Sequence, residues 1–154
     1  MSDREKTTLP ARTGGVPFAA RLLGWAGLLP FLALSLGMLL LPAEASTAAN
    51  LLDHYAFGIL CFLLGTWWCI VVMRPDPSPL LWSNALFVAL FLARAVLHDA
   101  YFMLAAALLF VVLLLLERRL AAFRRQPAYY VTLRTRLSLV AAATLMLGAW
   151  QHPG

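Results

Sequence analysis

Long charge-free apolar stretches, separated by short polar breaks, set the pattern of this chain. From Leu22 to Leu41 no charged residue occurs over 20 residues. A helix of that length rises about 30 Å, the thickness of a bilayer's hydrocarbon core. Pro42 closes the run, and 43–53 is small and polar. A second run extends from His54 to Met73 and stops at Arg74. The stretch Arg74-Pro75-Asp76-Pro77-Ser78-Pro79 cannot continue a helix, because proline lacks the amide donor and clashes with the preceding turn. A third run covers Leu80 to Leu97 and a fourth Ala100 to Leu116. Joined as one helix these two would measure roughly 55 Å, too long for one crossing, so a hairpin at His98-Asp99 is predicted although its turn lacks Gly and Pro. Residues 117–126 form a basic connector, and Pro127 suits the first turn of a fifth span over 128–150. The pattern predicts an all-α integral membrane bundle of five transmembrane helices, with spans at 22–41, 54–73, 80–97, 100–116 and 128–150. A basic tail (1–21) precedes it, and a short tail (151–154) follows.

Charge orients this bundle. With five spans and the N-terminus inside, Arg4, Lys6, Arg12, Arg21, Arg74, Arg118, Arg119, Arg124, Arg125, Arg134 and Arg136 share one side, and Arg94 alone falls on the other. Basic residues concentrate on the cytoplasmic side of membrane proteins, so the expected topology is N-in/C-out. Trp25, Trp82, Tyr129 and Tyr130 fall at the inner level, and Tyr55, Tyr101 and Trp150 at the outer level, as an interfacial aromatic belt requires. Ala43-Glu44-Ala45 after the first run also fits a signal-peptide cleavage site. The run, however, exceeds the usual apolar core of about 7–15 residues, so a retained span is expected.

Composition narrows the function classes. Hydrophobic residues make up 62% of the chain and charged residues 12%, against about half and a quarter in soluble domains. A chain this short cannot hide that excess in one core, which excludes a soluble enzyme domain, a disordered tail and a disulfide scaffold. The excess of Arg would suggest nucleic acid in a soluble protein; here it sets topology, and no nucleic-acid partner is expected. No Gly-rich phosphate loop, His-x-x-x-His pair or nucleophile motif is present. No internal repeat is visible, which argues against a transporter.

Several segments together resemble one family. Leu23-Gly24-Trp25-Ala26-Gly27-Leu28-Leu29-Pro30-Phe31 resembles its Gly-rich first span ending in Leu-Pro-Phe. Tyr55 through Trp68 resembles its second span, and Trp82-Ser83 the start of its third. Pro127-Ala128-Tyr129-Tyr130, followed by Leu133-Arg134 and Arg136-Leu137, resembles the entry to its last. This is the family called domain of unknown function 3429, the transmembrane protein 69-like proteins, and the likeness covers roughly residues 20–150. It implies a five-span fold and supplies no activity. Where the family tends to carry Ser, Gly and His in the second span, this chain has Cys61, Leu64 and Trp67, so any chemistry of that His is absent.

Candidate functional residues fall into four groups. Cys61, Gly65 and Cys69 recur every four residues and, with Gly24 and Gly27, offer small-residue stripes for helix packing. The two cysteines lie about 12 Å apart along one helix, too far for a disulfide. Pro30 removes a hydrogen bond in mid-span, and its kink can shape a hinge or cavity. His54, His98, His152, Asp53 and Asp99, with Glu44, gather at the predicted outer level as a candidate metal or proton-relay layer, though their spacing matches no metal signature. Arg94 lies about one turn inside the third span and needs a partner, for which Asp99, Asp53 or Glu44 could serve, the Arg94–Asp99 pair being the one expected; the tie is either structural or a recognition site for an anion or substrate. Arg118, Arg119, Arg124, Arg125, Arg134 and Arg136 are expected at anionic headgroups, the last two by snorkelling.

The function expected from these features is non-enzymatic. It is that of a small inner-membrane protein, bacterial or, in a eukaryote, mitochondrial, serving as scaffold, assembly factor or accessory subunit beside a membrane-protein partner or a second copy of itself. The alternative is a module binding a cofactor, lipid or metal, with redox chemistry as one option, through the kinked first helix or the outer His and carboxylate layer. The sequence requires no cofactor.

Overall fold

A computed structural model describes residues 15–72 and 76–151. His152, Arg74, Arg4, Lys6 and Arg12 lie outside the described residues. Within them the chain is helical: α1 (Gly15–Ala26), α2 (Leu29–Leu40), α3 (Ala45–Val72), α4 (Ser78–Val96), α5 (Asp99–Arg119) and α6 (Ala128–Gln151). Short 3-10 turns sit at Pro42–Glu44 and Ala121–Phe123. Five helical segments are long and apolar enough to cross a membrane: Pro17–Leu40, Pro42–Val71, Ser78–Val96, Asp99–Arg119 and Ala128–Gln151. The chain is thus a multi-pass membrane protein.

The first span is two helices in series. Pro30 sits in the first turn of α2, where its missing N–H costs no helical bond. The break therefore falls at Gly27-Leu28. Leu28 turns tightly there, its N–H donating to the Trp25 carbonyl at 3.0 Å. Tyr55 of α3 donates its hydroxyl to the Gly27 carbonyl at 2.8 Å, supplying a donor where the helix is interrupted. Tyr55 also meets the Phe31 ring edge-on at 5.1 Å. It is half-buried at the break and packs against the core.

Helix starts and stops follow the local chemistry. The Ser78 amide donates to Asp76 Oδ1 at 3.0 Å, which anchors the start of α4 and holds the Asp76 carboxyl below the usual carboxylate range. The α4–α5 hairpin turns without Gly or Pro because Leu97 and His98 both take extended backbone angles. Asp99 in the first turn of α5 and Arg118 and Arg119 in its last complement the helix dipole.

Three boundaries differ from the pattern. Helix α5 continues to Arg119, so Glu117, Arg118 and Arg119 are helical and do not open the connector. Helix α1 begins at Gly15, so Arg21 rides on a helix and not in a tail. Helix α3 begins at Ala45, nine residues before the expected span, because Ala45, Ala48 and Ala49 favour helix and the last two pack inside.

The core lies between α2, α3, α5 and α6, with α4 flanking α3 and α5. Phe31, Leu52, Leu60, Trp67, Phe102, Met103, Phe110 and Leu145 fill it. Gly148 lets α6 approach closely: a Cβ there would sit 3.0 Å from both Leu52 Cδ2 and Met103 Sδ. Large apolar side chains such as Leu22, Leu36, Phe62, Phe87, Phe91 and Leu108 face outward, where lipid replaces water as solvent. That accounts for an apolar content no soluble fold of this size can hold.

Candidate functional site

The chemistry concentrates at the end of the bundle that carries the α5–α6 connector. Glu117, in the last turn of α5, is buried, as is Arg134 of α6. Arg134 Nε donates to Glu117 Oε2 at 2.7 Å, and its Nη2 completes the ion pair at Oε1. Trp67 of α3, wholly buried, donates Nε1 to Glu117 Oε1 at 2.9 Å. Tyr130, one turn before Arg134, accepts from its Nη1 at 3.3 Å. Phe123 of the connector covers the Trp67 ring edge-on at 5.0 Å. Three spans are tied through one carboxylate. A buried pair is stabilising only when its remaining polar valences are largely filled; here the indole serves the carboxylate and the phenol one guanidinium nitrogen, while Arg134 Nη2 has the ion pair and no hydrogen bond among the described residues. Arg134 is therefore not a snorkelling arginine at the headgroups. It is 8% exposed and points inward.

Beside this network lies an apolar chamber of about 380 Å³. Leu23, Gly27 and Phe31 wall it on the broken first span, Leu63 on α3 and Leu137 on α6; Thr66, Tyr130, Arg134 and Ser138 supply its polar lining. Gly24 borders it at the α1–α6 crossing, where a Cβ would stand 2.8 Å from Leu137 Cδ1. The volume is within the range of small-molecule sites, about 300–1,000 Å³, and the lining is mostly apolar as such sites are. Pro30 shapes it indirectly, by setting where the first span breaks.

At the opposite end the expected metal layer does not assemble. Among the described residues no three His, Cys, Asp or Glu side chains gather as a metal set. His54 is exposed and donates to the Asn50 carbonyl at 2.7 Å. His98 is exposed in the hairpin turn, and Glu44 is exposed in the Pro42–Glu44 turn. Asp53 is the exception: it is 0% exposed, and neither carboxylate oxygen has a hydrogen-bond partner among the described residues. Arg94 and Asp99 do not form the expected ion pair, since among the described residues that interaction is confined to Glu117 and Arg134. Arg94 instead places its guanidinium 5.3 Å from the centre of the Phe102 ring, a cation–π contact that suits a charge near the hydrocarbon boundary.

The remaining candidates point outward. Cys61 is half-buried, and Gly65 and Cys69 are exposed. A Cβ added at Gly65, or at Gly58 two turns earlier, would touch nothing within 4 Å. Gly58 and Gly65 thus pack no neighbour within the chain, whereas Cys61 packs against the core. Arg118, Arg119, Arg124, Arg125 and Arg136 are exposed. Trp67 and Glu117 were not candidates in the sequence. The available signal was that Glu117 is the last acid of the chain and stands alone among arginines.

An all-helical multi-pass membrane protein with an internal ion pair and an adjoining apolar chamber defines the class. The chain belongs to the family described as protein of unknown function DUF3429, whose model matches residues 16–150. No curated protein and no solved structure matches it.

Proposed function

We propose that this protein is a non-enzymatic membrane module that holds a lipid-like apolar ligand between its broken first span and α3 and α6. The chamber of about 380 Å³ is the observation that carries this reading. The chamber opens to the surroundings beside exposed Leu23 and Phe62, and its apolar walls offer dispersion contacts to a hydrocarbon chain. An acyl or isoprenoid chain entering from the bilayer fills it without loss. Ser138 and Thr66 offer hydroxyls to a polar end, and the Glu117–Arg134 pair holds the adjoining wall rigid. The protein resides in a bacterial inner membrane, or the mitochondrial inner membrane of a eukaryote, with N-in/C-out topology. The arginines at the connector end, against Arg94 at the other, support that orientation.

Solvent extraction and mass spectrometry of the gently purified protein test the ligand. Wild type is expected to carry one apolar compound near stoichiometry, and Leu63→Trp, which fills the chamber from a half-buried position, is expected to lose it while staying folded. Equal and unselective lipid content in both proteins would overturn the reading. A second reading, a scaffold or accessory subunit, is favoured by the outward stripe of Gly58 and Gly65, which leaves room for a helix of another chain or a second copy.

A further inference from the structure

On the other flank of α1 from the chamber, two arginines from different spans converge on one recess. Arg21 and Trp25, one turn apart on α1, face Tyr129, Thr132 and Arg136 of α6 across about 480 Å³. No acidic residue lines the recess. Neither arginine has a carboxylate partner among the described residues, in contrast to Arg134, which Glu117 neutralises. The Arg21 guanidinium lies 6.0 Å from the centre of the Tyr129 ring, a contact that holds it over the recess. Trp25 and Tyr129 are the amphipathic aromatics that settle at headgroup depth.

We propose that this recess is a binding site for the phosphate of an anionic phospholipid, clasped between Arg21 and Arg136. Guanidinium donors match a phosphate's oxygens in pairs, and two of them from separate helices define a position that scattered surface charge does not. Trp25 packs along the glycerol region, and the acyl chains run down the outside of α1. The site depends on the membrane placement proposed above and not on what occupies the chamber.

The test is titration of the full-length protein in neutral detergent with phosphatidylglycerol or phosphatidylcholine, bound lipid being counted by native mass spectrometry. Phosphatidylglycerol is expected to saturate one tight site that phosphatidylcholine does not fill. The double variant Arg21→Gln/Arg136→Gln is expected to weaken that site about thirtyfold, from roughly fivefold per arginine at an anionic surface. The charge-matched double Arg118→Gln/Arg119→Gln is expected to change it less than about threefold. Ala128→Trp, which obstructs the recess while keeping both charges, is expected to weaken it at least tenfold. Millimolar inorganic phosphate is expected not to compete. Equal losses in the two double variants would overturn the proposal in favour of diffuse attraction, as would undiminished binding in Ala128→Trp. Competition by free phosphate would overturn it in favour of a soluble-anion site. Loss of the chamber ligand in Leu63→Trp with this lipid retained leaves the two sites separate.

Discussion

The Trp67 indole donates to the Glu117 carboxylate at 2.9 Å across 50 residues of chain, and the same carboxylate carries the Arg134 ion pair. This places a buried charge pair where hydropathy shows only the edge of a span. Removing one partner of such a pair strands the other. Glu117→Ala is expected to destabilise the protein by about 3–5 kcal/mol, and Trp67→Phe, which removes one donor and keeps most of the ring, by about 1–3 kcal/mol. Glu117→Met/Arg134→Met is expected to recover most of the loss, because no charge is then left unpaired. Thermal melts in detergent measure all three. A double variant no better than Glu117→Ala would show that the pair does not act as a unit.

The two buried acids are expected to answer substitution differently. Asp53 has no hydrogen-bond partner among the described residues, whereas Glu117 is ligated on both oxygens. Asp53→Asn keeps the shape and removes an ionisable group, so stability is expected to hold or rise by about 1 kcal/mol. Glu117→Gln is expected to lose about 3 kcal/mol or more by leaving Arg134 unpaired. Side-by-side unfolding in graded denaturing detergent distinguishes them.

Tyr55→Phe isolates the bond at the helix break. The ring contact with Phe31 survives, and the Gly27 carbonyl loses its side-chain donor. A loss of about 1 kcal/mol is expected, with faster hydrogen exchange confined to residues 24–31. Unchanged exchange there would remove Tyr55 from the account of the break.

Glycines of the two kinds should also separate. Gly148→Val places methyl groups against Leu52 and Met103 and is expected to cost about 1–3 kcal/mol by overpacking. Gly65→Ala meets open space and is expected to stabilise the isolated chain by up to about 1 kcal/mol through helix propensity. If the outward stripe seats another helix, Gly65→Leu lowers the oligomeric state seen by light scattering while leaving the monomer folded.

What the sequence made legible divides along physical lines. Span number and the proline-rich break before α4 follow from hydropathy and backbone sterics, which act locally. A hairpin at His98-Asp99 is expected from length alone, since two crossings cannot be one; the turn falls one residue earlier, at Leu97-His98, because Asp99 already opens α5. The early start of α3 was hidden because Ala48 and Ala49 bury little surface each and the segment reads as polar. The Trp67–Glu117–Arg134 network was hidden because its members come from three helices, and sequence spacing reports only neighbours on one. Arg134 differed from its expected surface role for the same reason: whether an arginine at a span's edge turns out or in depends on what the facing helix offers. The outer histidine layer does not gather among the described residues because successive positions on one helix face different ways, as exposed His54 and buried Asp53 demonstrate one residue apart.

The proposed placement, five bilayer crossings with the arginine-rich connector on the cytoplasmic side, is the premise of the headgroup site at Arg21 and Arg136. Paired reporters at the two termini of the full-length chain in bacterial cells, one active only in the cytoplasm and one only outside it, test this most directly. The account predicts a cytoplasmic signal from the N-terminus and an external signal from the C-terminus after Gly154. Both signals on one side would contradict it.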